Sequence, residues 1–195
     1  DIGLAALGIL VSWPLWLVAI ALIIQESGWP VFFRQERCGQ WGKSFKTIKF
    51  RTMTVPDKDT GPHIIVDLDY DPRVTRVGGI LRSSYLDELP QLFNILKGEM
   101  SFVGPRPLPH IIEDWERFRY RAIDEVPGYE QRSHLKPGLT GIAQVYASKD
   151  IDHRSKFRYD NLYIGKTGLW LDIRLILLSI WLAVRGGKRL SRRNP

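Results

Sequence analysis

The sequence has a single cysteine, Cys38, among its 195 residues. One thiol cannot form an internal disulfide, so a fold held together by disulfide bonds is excluded, and the chain suits a reducing compartment. Internal repeats and low-complexity segments are also absent, which excludes repeat arrays and compositionally biased tracts. The length is sufficient for one domain with a hydrophobic core.

Acidic residues are in the minority, with 21 Asp and Glu against 28 Lys and Arg and a net charge of +7. A positive balance suits a partner that carries phosphate, such as a nucleic acid, an anionic membrane or a nucleotide. No nucleic-acid-binding motif is recognisable, so a membrane-tethered nucleic-acid binder is the weaker alternative. Much of the charge lies in a tail that suits anionic lipid headgroups on the cytoplasmic side: Arg185, Lys188, Arg189, Arg192 and Arg193.

The segment from Ile2 to Ile24 lacks any charged residue. As a straight helix it would be roughly 34 Å long, enough to cross a hydrocarbon core of about 30 Å. It is not a typical signal peptide, because no cationic region precedes it and no small-residue cleavage site follows it. The chain begins at Asp1 rather than Met, so we expect further sequence upstream. Its seven tryptophans suit a membrane interface.

Ser12 and Pro14 lie at the middle of this apolar segment. Pro14 cannot donate a hydrogen bond to the carbonyl of Leu10, and its ring crowds that turn. The Ser12 hydroxyl can satisfy a carbonyl one turn back. Two arrangements are compatible with this pattern: a kinked helix that spans the bilayer, or a helix that enters one leaflet, bends and leaves on the same side.

Short alternating segments follow the apolar helix. Runs 31–36 and 43–51 flank a glycine turn at 38–42 and predict a two-stranded hairpin. The hairpin carries six cations, which we call the basic floor: Arg34, Arg37, Lys43, Lys46, Lys49 and Arg51. They would either line the floor of a site or form a solvated charged face beside the membrane.

The remainder of the chain divides into a loop, a turn and three helical segments. Residues 57–71 predict a mobile loop, in which 66–71 has the acidic alternation of a calcium-binding loop but lacks the central Gly and terminal Glu of an EF-hand. Residues 113–126 predict an amphipathic surface helix, 136–141 a turn, and 156–163 a further helix. The apolar segment 169–184 has a charge-free part too short to span a bilayer, so we expect it to lie in the membrane interface.

Two adjacent carboxylates, Asp87 and Glu88, precede the apolar run that begins at Leu89. Pro90 fits only the first turn of a helix, so a helix is predicted from about Asp87 to Lys97, with Ser84 or Asp87 as its N-cap. The positive end of the helix dipole would favour the ionised carboxylates, and an ionised Asp is a candidate nucleophile. The alternative is that both residues only cap the helix.

Three arginines lie close to this carboxylate pair in the sequence. Arg76 and Arg82 precede it, and Arg106 lies between Pro105 and Pro107, on stiff backbone that preorganises its charge. Guanidinium groups suit phosphate oxygens. We therefore interpret Arg76, Arg82 and Arg106 as candidate phosphate ligands, with salt bridges to nearby acids as the alternative.

Five segments occur in one order along nearly the whole chain, and together they resemble the bacterial sugar transferase family, the monotopic phosphoglycosyl transferases. The segment around LDELPQ is the most specific of them. The five are VFFRQERCG (31–39), KFRTM (49–53), LRSSYLDELPQLFNILKGEMSFVGPRP (81–107), KPGLTGIAQV (136–145) and YDNLYIGKTGLWLDIRLIL (159–177). Departures from the family pattern occur at Ser83, Tyr85 and 166–170, none of which alters the carboxylate pair.

The resemblance implies transfer of a sugar phosphate from a UDP-sugar to a polyprenyl phosphate, with release of UMP, as the first membrane step of glycoconjugate assembly. It implies that Asp87 is a nucleophile that forms an aspartyl-phosphosugar, and that Glu88 is its partner near Mg2+, with both residues as metal ligands. The intact pair argues against a non-catalytic scaffold. Two anionic reactants repel each other, and a metal with arginines would offset that repulsion.

The resemblance also implies an architecture. We expect an α/β (α+β, mostly helical) membrane-associated fold with a short β-hairpin and amphipathic interfacial helices. Residues 1–27 would form a re-entrant membrane helix kinked at Ser12 and Pro14. Residues 28–195 would form a catalytic domain, with an interfacial C-terminal helix and a basic tail, in contact with membrane lipid on the cytoplasmic face of the bacterial inner membrane.

Overall fold

The computed structural model describes residues 1–54, 71–114, 119–147 and 151–185. Most of the predicted loop 57–71 and all of the tail beyond Arg185 lie outside these residues. The helices are α1 (Ile2–Ser27), α2 (Arg76–Ser83), α3 (Leu92–Leu96), α4 (Tyr129–Ser133), α5 (Ile142–Tyr146), α6 (His153–Ile164) and α7 (Leu169–Val184), with 3-10 turns at Gln40–Gly42, Leu86–Gln91 and Ile123–Glu125. The strands are β1 (Phe32–Cys38), β2 (Ser44–Phe50), β3 (Ser101–Val103), β4 (Ile111–Asp114), β5 (Arg119–Ala122) and β6 (Gly138–Thr140).

The fold mixes helix and sheet, as predicted, and its described strands form three two-stranded sheets. The predicted hairpin is confirmed: β1 and β2 pair antiparallel from Phe32 opposite Phe50 to Cys38 opposite Ser44. The helices predicted at 156–163 and 169–184 are also confirmed as α6 and α7. These elements were predictable because each follows a local pattern of apolar residues.

The helix predicted over 113–126 is wrong, because this segment forms the strands β4 and β5 and a 3-10 turn. The two strands pair antiparallel, with Ile112 opposite Arg121. Residues 118–121 alternate between aromatic and arginine, which is the period of a strand rather than of a helix. The pairing buries Ile112 in one cluster with Ile123 and Val126.

The segment predicted as a turn at 136–141 contains β6, which pairs in parallel with β3. Glycines allow the two main chains to approach closely, since a Cβ on Gly138 would lie 2.1 Å from the amide nitrogen of Gly104. The Gly104 N–H donates to Thr140 O, and the Gly138 N–H donates to Pro105 O, both at 2.9 Å. These bonds fix the start of the loop that carries Arg106.

Helix α1 is assigned without a break through Pro14, and its 26 residues are about 39 Å long. By length and composition it could cross a membrane. The predicted bond of Ser12 is confirmed, because its hydroxyl donates to Gly8 O at 2.6 Å. The Nε1–H of Trp16 in turn donates to the Ser12 hydroxyl at 2.9 Å. A bend at this point remains a prediction.

Helix α1 packs against the rest of the protein along most of its length. Ala5 lies in a buried cluster with Leu92 and Ile95, whereas Ile23 lies in a second cluster with Phe50 and Leu81. Large apolar side chains on its other faces are exposed: Leu4, Leu7, Leu10, Val11, Trp13, Leu15, Leu17, Val18 and Leu22. The helix is therefore both part of the core and a source of exposed apolar surface.

Hydrogen bonds tie the C-terminal end of α1 to the adjoining elements. The Arg51 guanidinium donates to Ser27 O at 2.7 Å and to the Ser27 hydroxyl at 2.8 Å. The carboxylate of Glu26 accepts the N–H groups of Arg76 at 2.8 Å and Val77 at 2.9 Å, at the start of α2. These bonds satisfy helix-end groups that would otherwise need water.

Helix α7 covers the parallel β3–β6 pair. Its Leu175 and Leu182 are buried in a cluster with Val103, and the Tyr163 hydroxyl of α6 donates to Asp172 at 2.6 Å. Other apolar residues of α7 are exposed: Leu169, Trp170, Ile173, Leu177, Ile180, Trp181 and Val184. Like α1, this helix leaves a large apolar surface uncovered by the described protein.

Candidate active site

The carboxylate pair lies in the 3-10 turn Leu86–Gln91, which leads directly into α3. The turn begins at Tyr85, whose φ of 59° is left-handed. The predicted N-caps are wrong: Ser84 ends α2, and its hydroxyl donates backwards to Ile80 O at 2.8 Å, while Asp87 lies inside the turn. A sharp reversal at Tyr85, rather than a side-chain cap, therefore starts the element.

Two cations from distant parts of the chain bind Glu88. Lys49 of β2 donates to Glu88 Oε1 at 2.5 Å, and Arg106 of the loop after β3 donates to the same oxygen at 3.2 Å. The Glu88 side chain is only 12% exposed, whereas that of Arg106 is 49% exposed. Glu88 is thus an anchored carboxylate, and part of the Arg106 side chain remains open to solvent.

Asn94 fixes the strand that carries Lys49. This fully buried side chain accepts the N–H of Ile48 at 3.1 Å and donates to Lys46 O at 2.8 Å and to Glu99 at 2.7 Å. A buried amide with several satisfied bonds is a rigid link. It holds β2 against α3, so that Lys49 faces the turn that bears Glu88.

The two carboxyl groups have opposite pKa shifts. Burial and then the charge of Glu88 raise the pKa of Asp87 to about 6, against the opposing effect of Lys49, Arg82 and Arg106. Burial alone would also raise the pKa of Glu88, but Arg106 and Lys49 hold it below its usual value. At Asp87, burial therefore outweighs the helix-dipole effect that we expected to favour the ionised form.

The three predicted arginines do not lie together. Arg106 binds Glu88 directly, and the charge of Arg82 lowers the pKa of Asp87. Arg76 lies at the opposite end of α2, where its N–H group and its charge both stabilise the carboxylate of Glu26. The phosphate-binding roles of Arg82 and Arg106 remain predictions, whereas the position of Arg76 beside Glu26 favours the alternative of an interaction with a nearby acid.

Lys49 and Arg37 are site residues that the sequence did not single out from the basic floor. Burial first, and then the charge of Arg106, lower the pKa of Arg37 to about 10. The period of a strand places Thr47, Lys49 and Arg51 on one face. That alternation is the sequence signal that could have grouped Lys49 with its neighbours on this face, and the structure shows Thr47 and Arg51 of the same face to be buried.

The residues present are compatible with a magnesium ion shared with a phosphate-bearing substrate. Among the described residues, no three His, Cys, Asp or Glu side chains form a cluster that could hold a metal. Mg2+ commonly takes only one or two carboxylates from the protein and completes its shell with water and substrate phosphates. Asp87 and the second carboxylate oxygen of Glu88 supply such a set, because Lys49 and Arg106 both bind Oε1.

The family model of the bacterial sugar transferases matches residues 1–186. The chain belongs to the bacterial sugar transferase family. The resemblance inferred from the five sequence segments is therefore confirmed.

Several relatives within this family are similar over most of this chain. A UDP-glucose:undecaprenyl-phosphate glucose-1-phosphate transferase of Klebsiella pneumoniae is 41% identical over 93% of the chain and 38% of the relative. A UDP-N-acetylgalactosamine-undecaprenyl-phosphate N-acetylgalactosaminephosphotransferase of Aeromonas hydrophila is 39% identical over 92% of the chain and 41% of the relative. The exopolysaccharide production protein ExoY of Rhizobium meliloti is 36% identical over 92% of the chain and 81% of the relative.

The chain spans well under half the length of the Klebsiella and Aeromonas relatives, at 38% and 41%. It spans most of ExoY. The shared segment includes α1, the carboxylate pair and α7, since the family match extends over residues 1–186. The family therefore has shorter and longer members around the same segment.

Proposed function

We propose that this chain transfers a sugar 1-phosphate from a UDP-sugar to a polyprenyl phosphate, through a covalent intermediate on Asp87. The observation that carries the proposal is the pairing of a carboxyl group of pKa about 6 with a neighbour held by Lys49 and Arg106. The names of the Klebsiella and Aeromonas relatives, which include UDP-sugars and undecaprenyl phosphate, support the substrate classes.

In the first step, a carboxylate oxygen of Asp87 attacks the phosphorus that bears the sugar. The bond from this phosphorus to the bridging oxygen breaks, and UMP leaves with the electron pair. In the second step, an oxygen of the polyprenyl phosphate attacks the same phosphorus, which releases Asp87 and forms the polyprenyl diphosphate sugar. A covalent intermediate lets one site handle a soluble donor and a lipid acceptor in turn.

The charges of the site match this chemistry. Asp87 is largely ionised near pH 7, because its pKa is about 6. The attack brings an anion towards an anionic diphosphate, and Lys49, Arg82 and Arg106 offset the repulsion. Magnesium, held by Asp87 and Glu88, would add charge neutralisation at the phosphates when bound. The salt bridges of Glu88 keep it ionised for that role.

We also propose that α1 is re-entrant and that the catalytic domain lies on the cytoplasmic face of the membrane. Ala5 and Ile23 would lie about 27 Å apart along a straight helix, yet both pack against elements that adjoin the same turn, α3 and α2. A crossing helix would leave one of these contacts on the wrong side of the bilayer. The exposed apolar face of α7 would lie in the same interface.

The covalent step can be tested without the acceptor. Wild-type enzyme, Mg2+ and UDP-glucose or UDP-N-acetylgalactosamine labelled in the sugar should give label on a peptide that contains Asp87, with equimolar UMP. Asp87→Asn should lose both signals, whereas Asp124→Asn, a matched change at an exposed residue, should retain them. Donor consumption that requires both substrates together, with no trapped adduct, would instead establish direct displacement.

A further inference from the structure

Arg106 is held through its main chain by a residue far away in the sequence. Arg132 of α4 donates from Nη2 to the carbonyl oxygen of Arg106 at 2.8 Å. The Arg106 side chain is half exposed, so packing around it does little to fix its position. The main chain of its loop therefore determines whether the guanidinium reaches Glu88.

Arg132 is itself held in a buried setting. Its Nε donates to Asp160 Oδ2 of α6 at 3.0 Å, and its guanidinium lies 4.3 Å from the ring centroid of Phe157. Arg132 is 6% exposed, Asp160 3% and Phe157 0%. Three different contacts thus fix the plane of one guanidinium, and that plane sets the direction of its bond to Arg106.

We propose that Arg132 and Asp160 are a positioning pair for the transfer reaction, which hold the loop so that Arg106 meets Glu88. The inference rests on the proposed function of Asp87 and Glu88. On the other side, Pro105 O accepts the N–H of Gly138 at 2.9 Å. Two consecutive carbonyl groups of the loop therefore accept hydrogen bonds: Pro105 O from β6 and Arg106 O from Arg132.

A contribution to stability does not by itself explain the buried ion pair of Arg132 and Asp160. Removing an arginine and an aspartate from water is costly, and apolar residues of similar volume often stabilise a core as well or better. An apolar side chain, however, cannot donate to the Arg106 carbonyl. Lysine would keep the charge but lose the planar fork that binds Asp160 and the carbonyl together.

Displacement of Arg106 would remove one of the two cations that bind Glu88. Lys49 of β2 would then bind Oε1 of Glu88 alone. Because Arg106 is placed to offset the charge of the attack on the diphosphate, its displacement should lower kcat more than it raises KM.

The test compares R132K, R106K and the double variant R132K/R106K in full-length enzyme, with UMP release as the assay. R132K should lower kcat by roughly 10- to 100-fold, the scale of a small misplacement at a reacting centre. Its KM for the UDP-sugar should change by less than its kcat, as expected when a group that acts in the transition state is misplaced. The double variant should lose little beyond R106K, because Arg132 acts through Arg106.

R51K is the matched control, since Arg51 is also 6% exposed and binds a main-chain carbonyl, but at Ser27. Its kcat and KM should stay near the wild-type values. Should R132K not accumulate as folded protein, D160N carries the same test, because it removes the charge that holds Arg132 while keeping the size of the side chain. Wild-type kcat in R132K or D160N, a loss confined to KM, or losses that multiply in the double variant would overturn the inference.

The failure of this inference and the failure of the proposed function give different results. If D87N retains wild-type turnover, the proposed function of Asp87 is wrong, and Arg132 then has no role in positioning groups for that reaction. If D87N is inactive while R132K has wild-type kcat and KM, the proposed function stands and Arg132 and Asp160 are structural only.

Discussion

Lys49 Nζ and Glu88 Oε1 lie 2.5 Å apart, although 39 residues separate them in the sequence. The pair joins the hairpin to the turn that bears Asp87, and its charges act on both carboxyl groups. Lys49 therefore has two separable effects, one on the geometry of Glu88 and one on the ionisation of Asp87.

Lys49→Met should move the acidic limb of kcat/KM to a higher pH. The lysine lowers the pKa of Asp87, which is about 6 with the cation in place, so its removal favours the protonated, non-nucleophilic form. The measurement is UMP release as a function of pH. Lys46→Met is the control, because Lys46 is on the same strand but exposed. A limb that stays in place would show that Lys49 does not influence Asp87.

Asp87→Asn should stabilise the protein above pH 6 and leave its stability unchanged near pH 3. The folded state raises the pKa of Asp87 from 3.8 to about 6, so it binds the proton more tightly than the unfolded chain. Stability is therefore lost as the pH rises between these values, by about 3 kcal/mol at most. Asparagine avoids that loss, since it has no charge to bury.

Thermal melting in detergent measures this difference. The gain in Tm of Asp87→Asn should be larger at pH 8 than at pH 4, whereas Asp124→Asn should show no such dependence. Equal gains in Tm for Asp87→Asn at both pH values would mean that the ionised form of Asp87 does not destabilise the folded state.

The neighbouring glycines of α2 should respond oppositely to alanine. A Cβ on Gly78 would lie 2.0 Å from Thr52 O, whereas one on Gly79 would meet nothing within 4 Å. Gly78→Ala should thus lower the free energy of unfolding by about 1–3 kcal/mol, and Gly79→Ala should raise it by about 0.4–1 kcal/mol. Denaturant titration of the two variants checks both signs, and equal effects would contradict the close approach of α2 to Thr52.

The three arginines should separate into two groups when each is changed to lysine. Arg82→Lys and Arg106→Lys should lower kcat/KM by at least about tenfold, because a planar fork at phosphate oxygens becomes a point charge. Arg76→Lys should have near-wild-type kcat/KM, since Arg76 lies beside Glu26. Full activity of the first two variants would exclude them from the site, and a large loss in Arg76→Lys would restore it as a candidate.

Labelling of single cysteines should place both ends of α1 on the cytoplasmic side. Asp1→Cys and Gln25→Cys suit this test, because both residues are exposed, whereas Ser27 is bonded to Arg51. Buried Cys38 is replaced by alanine in the background. An impermeant maleimide should label both cysteines in inside-out vesicles and neither in spheroplasts. Labelling from opposite sides would show that α1 spans the membrane.

The sequence predicted those elements that have a local pattern. The uncharged run of α1, the alternation of β1 and β2, and the apolar spacing of α7 each lie within one segment. The β3–β6 pair could not be found in this way, because each strand has three residues and the partners are 37 positions apart. Its formation depends on glycines that allow close approach, which have no periodicity to detect.

The candidate site, like the fold, was predictable only where a residue belongs to a local sequence pattern. Asp87 and Glu88 belong to a specific motif, and the two prolines around Arg106 mark that residue. In the sequence, Lys49 could not be distinguished from the other five cations of the basic floor. Only the structure shows that it binds Glu88. Asp160 lies in one of the five family segments, but nothing in the sequence pairs it with Arg132, because that pairing comes from contacts between α4, α6 and the Arg106 loop.

The packing of α1 has a consequence for how the protein is made. Trp16, Ala19 and Ile23 complete the cluster that contains Phe50 and Leu81, so removal of the helix would leave a hole beside the strand that carries Lys49. Truncation should therefore yield an insoluble, inactive remnant instead of a water-soluble enzyme. Under the proposed function, insertion of α1 into lipid would complete the site, so that a newly synthesised chain would become reactive only where its acceptor resides.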